Sequence, residues 1–127
     1  MYSLHHEKVN YVTAQRRCEA LGNGGKLAMP KTEAEFFGMI GDVVENVAPS
    51  EKGDKEYFFI GMNDLDRDMT LTWDDGSEVT LTRWERGQPN FRPKKKAMCG
   101  AVSPNRQWKL NDLACTSKRA FICQAGR

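Results

Sequence analysis

A chain of 127 residues has the length of one domain, here taken as residues 1–127, and enough mass to bury a core unaided. Apolar content of 39%, charged content of 28% and a formal net charge of +2 describe an ordinary globular composition and give nucleic-acid binding no support. The longest apolar runs are only a few residues, so no membrane span is expected. Met1-Tyr2-Ser3-Leu4 reads as an expression start, with any signal peptide or neighbouring domain removed.

Residues 2–8 read as a short edge strand. Asn10 is the expected N-cap of a helix running to residue 21, because Tyr11, Ala14, Cys18 and Leu21 recur at helical steps as one buried stripe. Gly22 ends it, and a brief extended segment at 26–29 stops at Pro30. Thr32-Glu33-Ala34-Glu35 is a capping box, in which the Thr and the second Glu each satisfy a backbone donor at a helix start. That helix carries Phe36, Ile40, Val43 and Val47 as its apolar face and ends before Pro49.

After a charged surface loop at 50–56, residues 57–62 form an aromatic-aliphatic central strand. Segments 71–73 and 79–82 flank Asp74-Asp75-Gly76-Ser77, whose Asp-Gly step signals a hairpin. Final strands are expected at 98–102 and 119–124, with a short one around Trp108. Helices first and strands after them argue an α+β fold with a mostly antiparallel sheet. Residues 84–98 show almost no periodicity, and so long an irregular stretch in a compact domain is usually functional or disordered. Binding is expected there.

Four cysteines, Cys18, Cys99, Cys115 and Cys123, permit three pairings and lack Cys-x-x-Cys spacing. They read as two disulfides of a secreted protein, with free or metal-bound thiols as the alternative. Gln88-Pro89-Asn90 and Asn111-Asp112 gather amide and carboxylate oxygens suited to a hard cation or to sugar hydroxyls; the bland alternative is a tight turn and a loop cap. Asp64, Asp66 and Asp68 form an acidic turn, and Arg92-Pro93-Lys94-Lys95-Lys96 is a basic run that either solubilises the loop or meets anionic ligands. His5 and His6 are adjacent on a strand and point to opposite faces, so at most one could ligate zinc, and zinc is not expected. Without a nucleophile–base pair or opposed acids, an enzyme is not expected either.

The set Ala14, Cys18, Leu21-Gly22, Phe59-Ile60-Gly61-Met62, Trp73-Asp74-Asp75-Gly76-Ser77, Trp84, Gly87-Gln88-Pro89-Asn90, Cys99, Trp108, Asn111-Asp112, Cys115 and Phe121-Ile122-Cys123, in that order and spacing, resembles the C-type lectin domain. The resemblance covers Tyr2 to Gln124, in the short form that lacks an extra N-terminal cysteine pair. It implies an outer bridge Cys18–Cys123 and an inner bridge Cys99–Cys115, contributing about 4–5 and about 3 kcal/mol in a chain-entropy view. It also implies a cis bond at Gln88-Pro89 and a calcium and sugar site at Gln88, Asn90, Asn111 and Asp112.

This sequence departs from the family pattern at that site. Gln-Pro-Asn matches neither the galactose-type Gln-Pro-Asp nor the mannose-type Glu-Pro-Asn tripeptide. A second glutamate expected before the third conserved cysteine is missing from 94–98, so Asp112 alone remains of three carboxylates, with lysines nearby. Calcium is expected to be weak or absent. Asp64 and Asp68 match half of an auxiliary calcium site whose loop partners are here Phe91, Ala97 and Met98, and Pro30 and Gln124 spoil another.

The implied function is extracellular recognition of glycans or of anionic microbial or cell-surface ligands, of innate-immune pattern-recognition type. The alternative is a calcium-independent lectin-like domain that binds proteins or anionic surfaces through Arg92, Lys94, Lys95 and Lys96.

Overall fold

The computed structural model describes residues 1–91 and 96–126. Strand β1 (Tyr2–Val9) leads into helix α1 (Tyr11–Glu19), then β2 (Lys26–Leu27) and helix α2 (Glu33–Val43). Strands β3 (Phe58–Asn63), β4 (Thr72–Trp73), β5 (Met98–Ser103), β6 (Lys109–Ala114) and β7 (Arg119–Gln124) follow. The sheet runs β1-β7-β3-β5-β6, with β2 beside β7 and β4 beside β3. Every pairing is antiparallel except β3 with β7, the two strands on which the sheet is centred. This is the expected α+β, mostly antiparallel architecture, with β1 on the edge.

Period-2 alternation sorts the sheet residues into two cores. Phe58, Ile60 and Met62 of β3 and Ala120 and Ile122 of β7 join Phe36, Met39 and Val43 of α2. Phe59, Phe121 and Cys123 face the other way, onto Tyr11, Ala14 and Cys18 of α1. Each helix therefore covers its own face. Gly61 lets the chain cross closely, since a Cβ there would lie 2.9 Å from the Leu27 carbonyl oxygen.

Both helix starts form as their sequences predict. The Asn10 side chain accepts from the Thr13 N–H at 2.9 Å. Thr32 Oγ1 accepts from the Glu35 N–H, and Glu35 Oε1 accepts from the Thr32 N–H, each at 3.1 Å.

Three expectations need correction. Helix α1 ends at Glu19, and Leu21 is 47% exposed rather than part of the stripe, because its N–H already turns back to the Cys18 carbonyl ahead of Gly22 at φ +76°. Helix α2 stops at Val43 and passes into a 3-10 turn, Val44–Asn46; Phe36, Val43 and Val47 are buried as expected, but Met39 takes the buried place expected of Ile40, which only packs partly against the core. The hairpin keeps its Asp-Gly turn, with the Gly76 N–H donating to the Trp73 carbonyl at 2.8 Å, but 79–82 forms no strand. A single bridge between Thr72 and Glu78 replaces it, and Leu81 is drawn into the core.

Two disulfides close the structure, Cys18–Cys123 from α1 to β7 and Cys99–Cys115 from β5 to the turn after β6. Among the described residues no cysteine is free, and no helix is long and apolar enough to cross a membrane.

Candidate functional site

Strand β6 and the loop that approaches its outer edge build the site. The loop is held to the strand by a parallel bridge: the Leu110 N–H donates to the Arg83 carbonyl at 2.7 Å, and the Glu85 N–H donates to the Leu110 carbonyl at 2.8 Å. Trp84, at this bridge, packs partly against the core. Beyond it the chain turns, the Gln88 N–H reaching the Glu85 carbonyl at 2.9 Å, and the Gln88-Pro89 peptide is cis.

Asp112 is the pivot. It is only 4% exposed, and its two oxygens accept from successive loop amides: Oδ1 from the Asn90 N–H at 3.1 Å, Oδ2 from the Phe91 N–H at 2.7 Å. Phe91 sits at φ +53°, a left-handed conformation that a non-glycine residue adopts at a cost. The Asp112 carboxylate thus pins a turn that local preference alone would not hold.

Asn111 is committed as well. Its Oδ1 accepts from the Asp112 N–H at 2.7 Å, and its Nδ2 donates to Tyr57 Oη at 3.1 Å, with Glu85 Oε1 at 3.5 Å. Tyr57 Oη in turn donates to Glu85 Oε2 at 2.8 Å. Burial comes first among the causes that raise the Tyr57 hydroxyl above its ordinary value, and the Glu85 carboxylate adds to it, so the phenol remains a neutral donor. Gln88 Oε1 is buried and has no hydrogen-bond partner among the described residues.

Gln88, Asn90, Asn111 and Asp112, picked out in the sequence, thus lie along one seam between loop and strand, with Asn90 and Asp112 in direct contact. Two further participants carry no motif of their own: Glu85 and Tyr57 orient Asn111 from behind. Glu85 directly follows Trp84 in the chain, but only the bridge to Leu110 reveals which way it faces. Phe91 is half-buried and packs against the core. Of the basic run, Arg92, Lys94 and Lys95 lie outside the described residues, and Lys96 is exposed.

The acidic turn after β3 brings one carboxylate oxygen each from Asp64, Asp66 and Asp68 within 4.8 Å of one another. Asp64 is buried, and its Oδ1 accepts from the Asp68 N–H at 2.9 Å. Burial, followed by the neighbouring Asp68 carboxyl, raises the Asp64 carboxyl above its ordinary value. The histidines are used otherwise. His5 stacks on Phe121 with 5.2 Å between ring centres, and His6 Nδ1 meets the Glu51 carboxylate at 2.8 Å. Neither belongs to a cluster of metal-ligating side chains among the described residues, so zinc has no support.

A model of the lectin C-type domain matches residues 7–125. The C-type lectin lectoxin-Phi2 of Philodryas olfersii is 33% identical over 127 residues, spanning 97% of this chain and 75% of its own. The crystal structure of human lithostathine superposes with a TM-score of 0.81 at 23% identity, covering 99% of this chain and 83% of that one. SPL-1, solved in complex with GlcNAc, gives 0.75 at 19% identity, covering 96% and 84%. The two structures speak for the fold, and the family model and the lectoxin for descent. The chain belongs to the C-type lectin domain family, a family of non-enzymatic carbohydrate-recognition and lectin-like binding modules.

Proposed function

We propose that the chain acts as one extracellular recognition module, binding glycans of microbial or cell surfaces at the seam between Asn90 and Asp112, with weak or lost dependence on calcium. The observation that carries this reading is the commitment of Asp112. Calcium takes six to eight oxygen ligands and favours charged ones. Here Asp112 already spends both oxygens on loop amides, the Glu85 carboxylate behind Asn111 accepts from the Tyr57 hydroxyl, and the Asn111 amide oxygen is likewise engaged. Gln88 Oε1 is a buried acceptor with no partner among the described residues, which is too little for a hard cation. The donor set fits calcium poorly and fits a self-supporting loop well. Two disulfides favour an oxidising, extracellular setting.

A glycan array probed with calcium and again with chelator tests the proposal. Binding to glycans that survives chelation is the expected result. Binding abolished by chelator and restored by micromolar calcium would show that the seam reorganises into a full cation cage, and would overturn it.

A further inference from the structure

A cleft adjoins the seam. Between the Trp84–Gln88 turn and the short 3-10 turn Pro104–Arg106 lies a cleft of about 360 Å³, within the size range of small-molecule sites. Its lining is Glu85, Arg86, Asn105, Arg106, Gln107 and Lys109. Three cations therefore face one carboxylate, and that carboxylate is partly occupied by the Tyr57 hydroxyl.

Among the described residues only one of the three cations is in an ion pair. Arg106 has an ion pair with the exposed Asp54 at 3.1 Å, while Arg86 and Lys109 have none among the described residues. The floor is fixed: Asn105 Nδ2 donates to the same Asp54 at 2.9 Å, and the Trp108 N–H returns to the Ser103 carbonyl at 2.8 Å. Two amide side chains, Asn105 and Gln107, are exposed at this cleft and can both give and take hydrogen bonds. Fixed positive charge mixed with neutral amides and a carboxylate acceptor suits a ligand that carries both an anionic group and hydroxyls.

We propose that this cleft is an anion subsite which binds the sulfate or carboxylate of an acidic sugar residue, extending the seam into a site for anionic oligosaccharides. The geometry connects the two. Lys109 and Asn111 share one face of β6, opposite buried Leu110 and Asp112, two residues along a strand span about 7 Å, and Glu85 of the cleft lies beside Asn111 Nδ2. One oligosaccharide can therefore touch both. The extension rests on the proposed glycan recognition at the seam, but the anchoring of charge rests on the cleft alone. The anion anchor then rests on side chains next to the Leu110 bridge.

The test uses the oxidised protein and titration calorimetry at physiological salt. Probes are a heparin-derived tetrasaccharide, its fully desulfated form, a hyaluronan tetrasaccharide carrying carboxylates alone, and a short poly-glutamate peptide. The double variant Arg86→Gln/Lys109→Gln is compared with Lys8→Gln/Lys26→Gln, which removes equal charge from β1 and β2, away from β6. The expected result is at least tenfold weaker binding of the heparin fragment in the first variant and less than twofold in the second, unchanged by chelator. Response to the hyaluronan fragment decides whether carboxylates are accepted as well as sulfates.

Equal losses in the two variants would reduce the effect to a general field and overturn the subsite, as would a wild-type protein that ignores both acidic fragments. Poly-glutamate bound as tightly as the heparin fragment would overturn the saccharide assignment. Array binding of neutral glycans separates the two readings: retained in Arg86→Gln/Lys109→Gln, it leaves the seam standing whatever the cleft does. Acidic fragments bound without any neutral glycan would sink the seam and keep the cleft.

Discussion

Single residues in this domain are given tasks their chemical type does not announce. Asp64 shows it most sharply: a carboxylate 2% exposed, at the heart of an acidic turn, with its ionisation opposed by burial and by Asp68. In the unfolded chain such a group loses its proton near pH 4. In the folded chain it loses it at higher pH, so Asp64 favours folding in acid and that contribution is lost as pH rises through the raised value. Asp68→Asn keeps an acceptor for the Thr70 N–H, now 3.0 Å from Asp68 Oδ1, and removes one of the raising causes. In metal-free buffer it is expected to stabilise the protein at pH 7 by roughly 0.5 kcal/mol, a small figure because Asp68 is exposed, and to do nothing at pH 3. Thermal melts at the two pH values decide it; an equal shift at both would locate the effect in the backbone of the turn.

At the scale of elements, what the sequence predicts well is local. Thr32 and Glu35 lie three residues apart and satisfy each other's backbone groups, so the start of α2 needs no tertiary information. The Asp-Gly turn is equally local, whereas its second arm is not: Leu81 had a choice between pairing as a strand and entering the core, and burial won. The same holds for the seam. Gln88-Pro89-Asn90 and Asn111-Asp112 are recognisable as motifs, but Glu85 and Tyr57 reach Asn111 only because β3, β6 and the loop converge. The loop depends on the strand in return. Asp112→Ala strips the acceptors from the Asn90 and Phe91 amides and releases a positive-φ turn, and should cost about 1–3 kcal/mol. Chelator should not reproduce that loss in the wild type. Urea denaturation of both, with and without calcium, is the measurement; identical destabilisation by chelator and by the substitution would make Asp112 a cation ligand before it is a brace.

Over the whole molecule the two bridges divide the labour between holding the chain and shaping the site. Cys18–Cys123 joins residues 105 apart, and Cys99–Cys115 joins residues 16 apart. Loop-closure entropy assigns the outer bridge about 4.7 kcal/mol and the inner one about 3. Their places in the fold separate them further. The outer bridge ties α1 onto β7 in the middle of the sheet, so its loss loosens the face that buries Tyr11 and Phe59. The inner bridge is one of the ties across β5 and β6, alongside a ladder that already runs from Met98–Ala114 to Ser103–Lys109. Cys18→Ala/Cys123→Ala should therefore lose more stability than Cys99→Ala/Cys115→Ala in denaturant melts. Glycan binding by the folded fraction should order them oppositely, because only the inner bridge borders the strand that carries Asn111 and Asp112. If instead the inner pair costs as much stability as the outer, the β5–β6 ladder does not stand without its staple. The seam would then depend on the disulfide for its existence as well as for its shape.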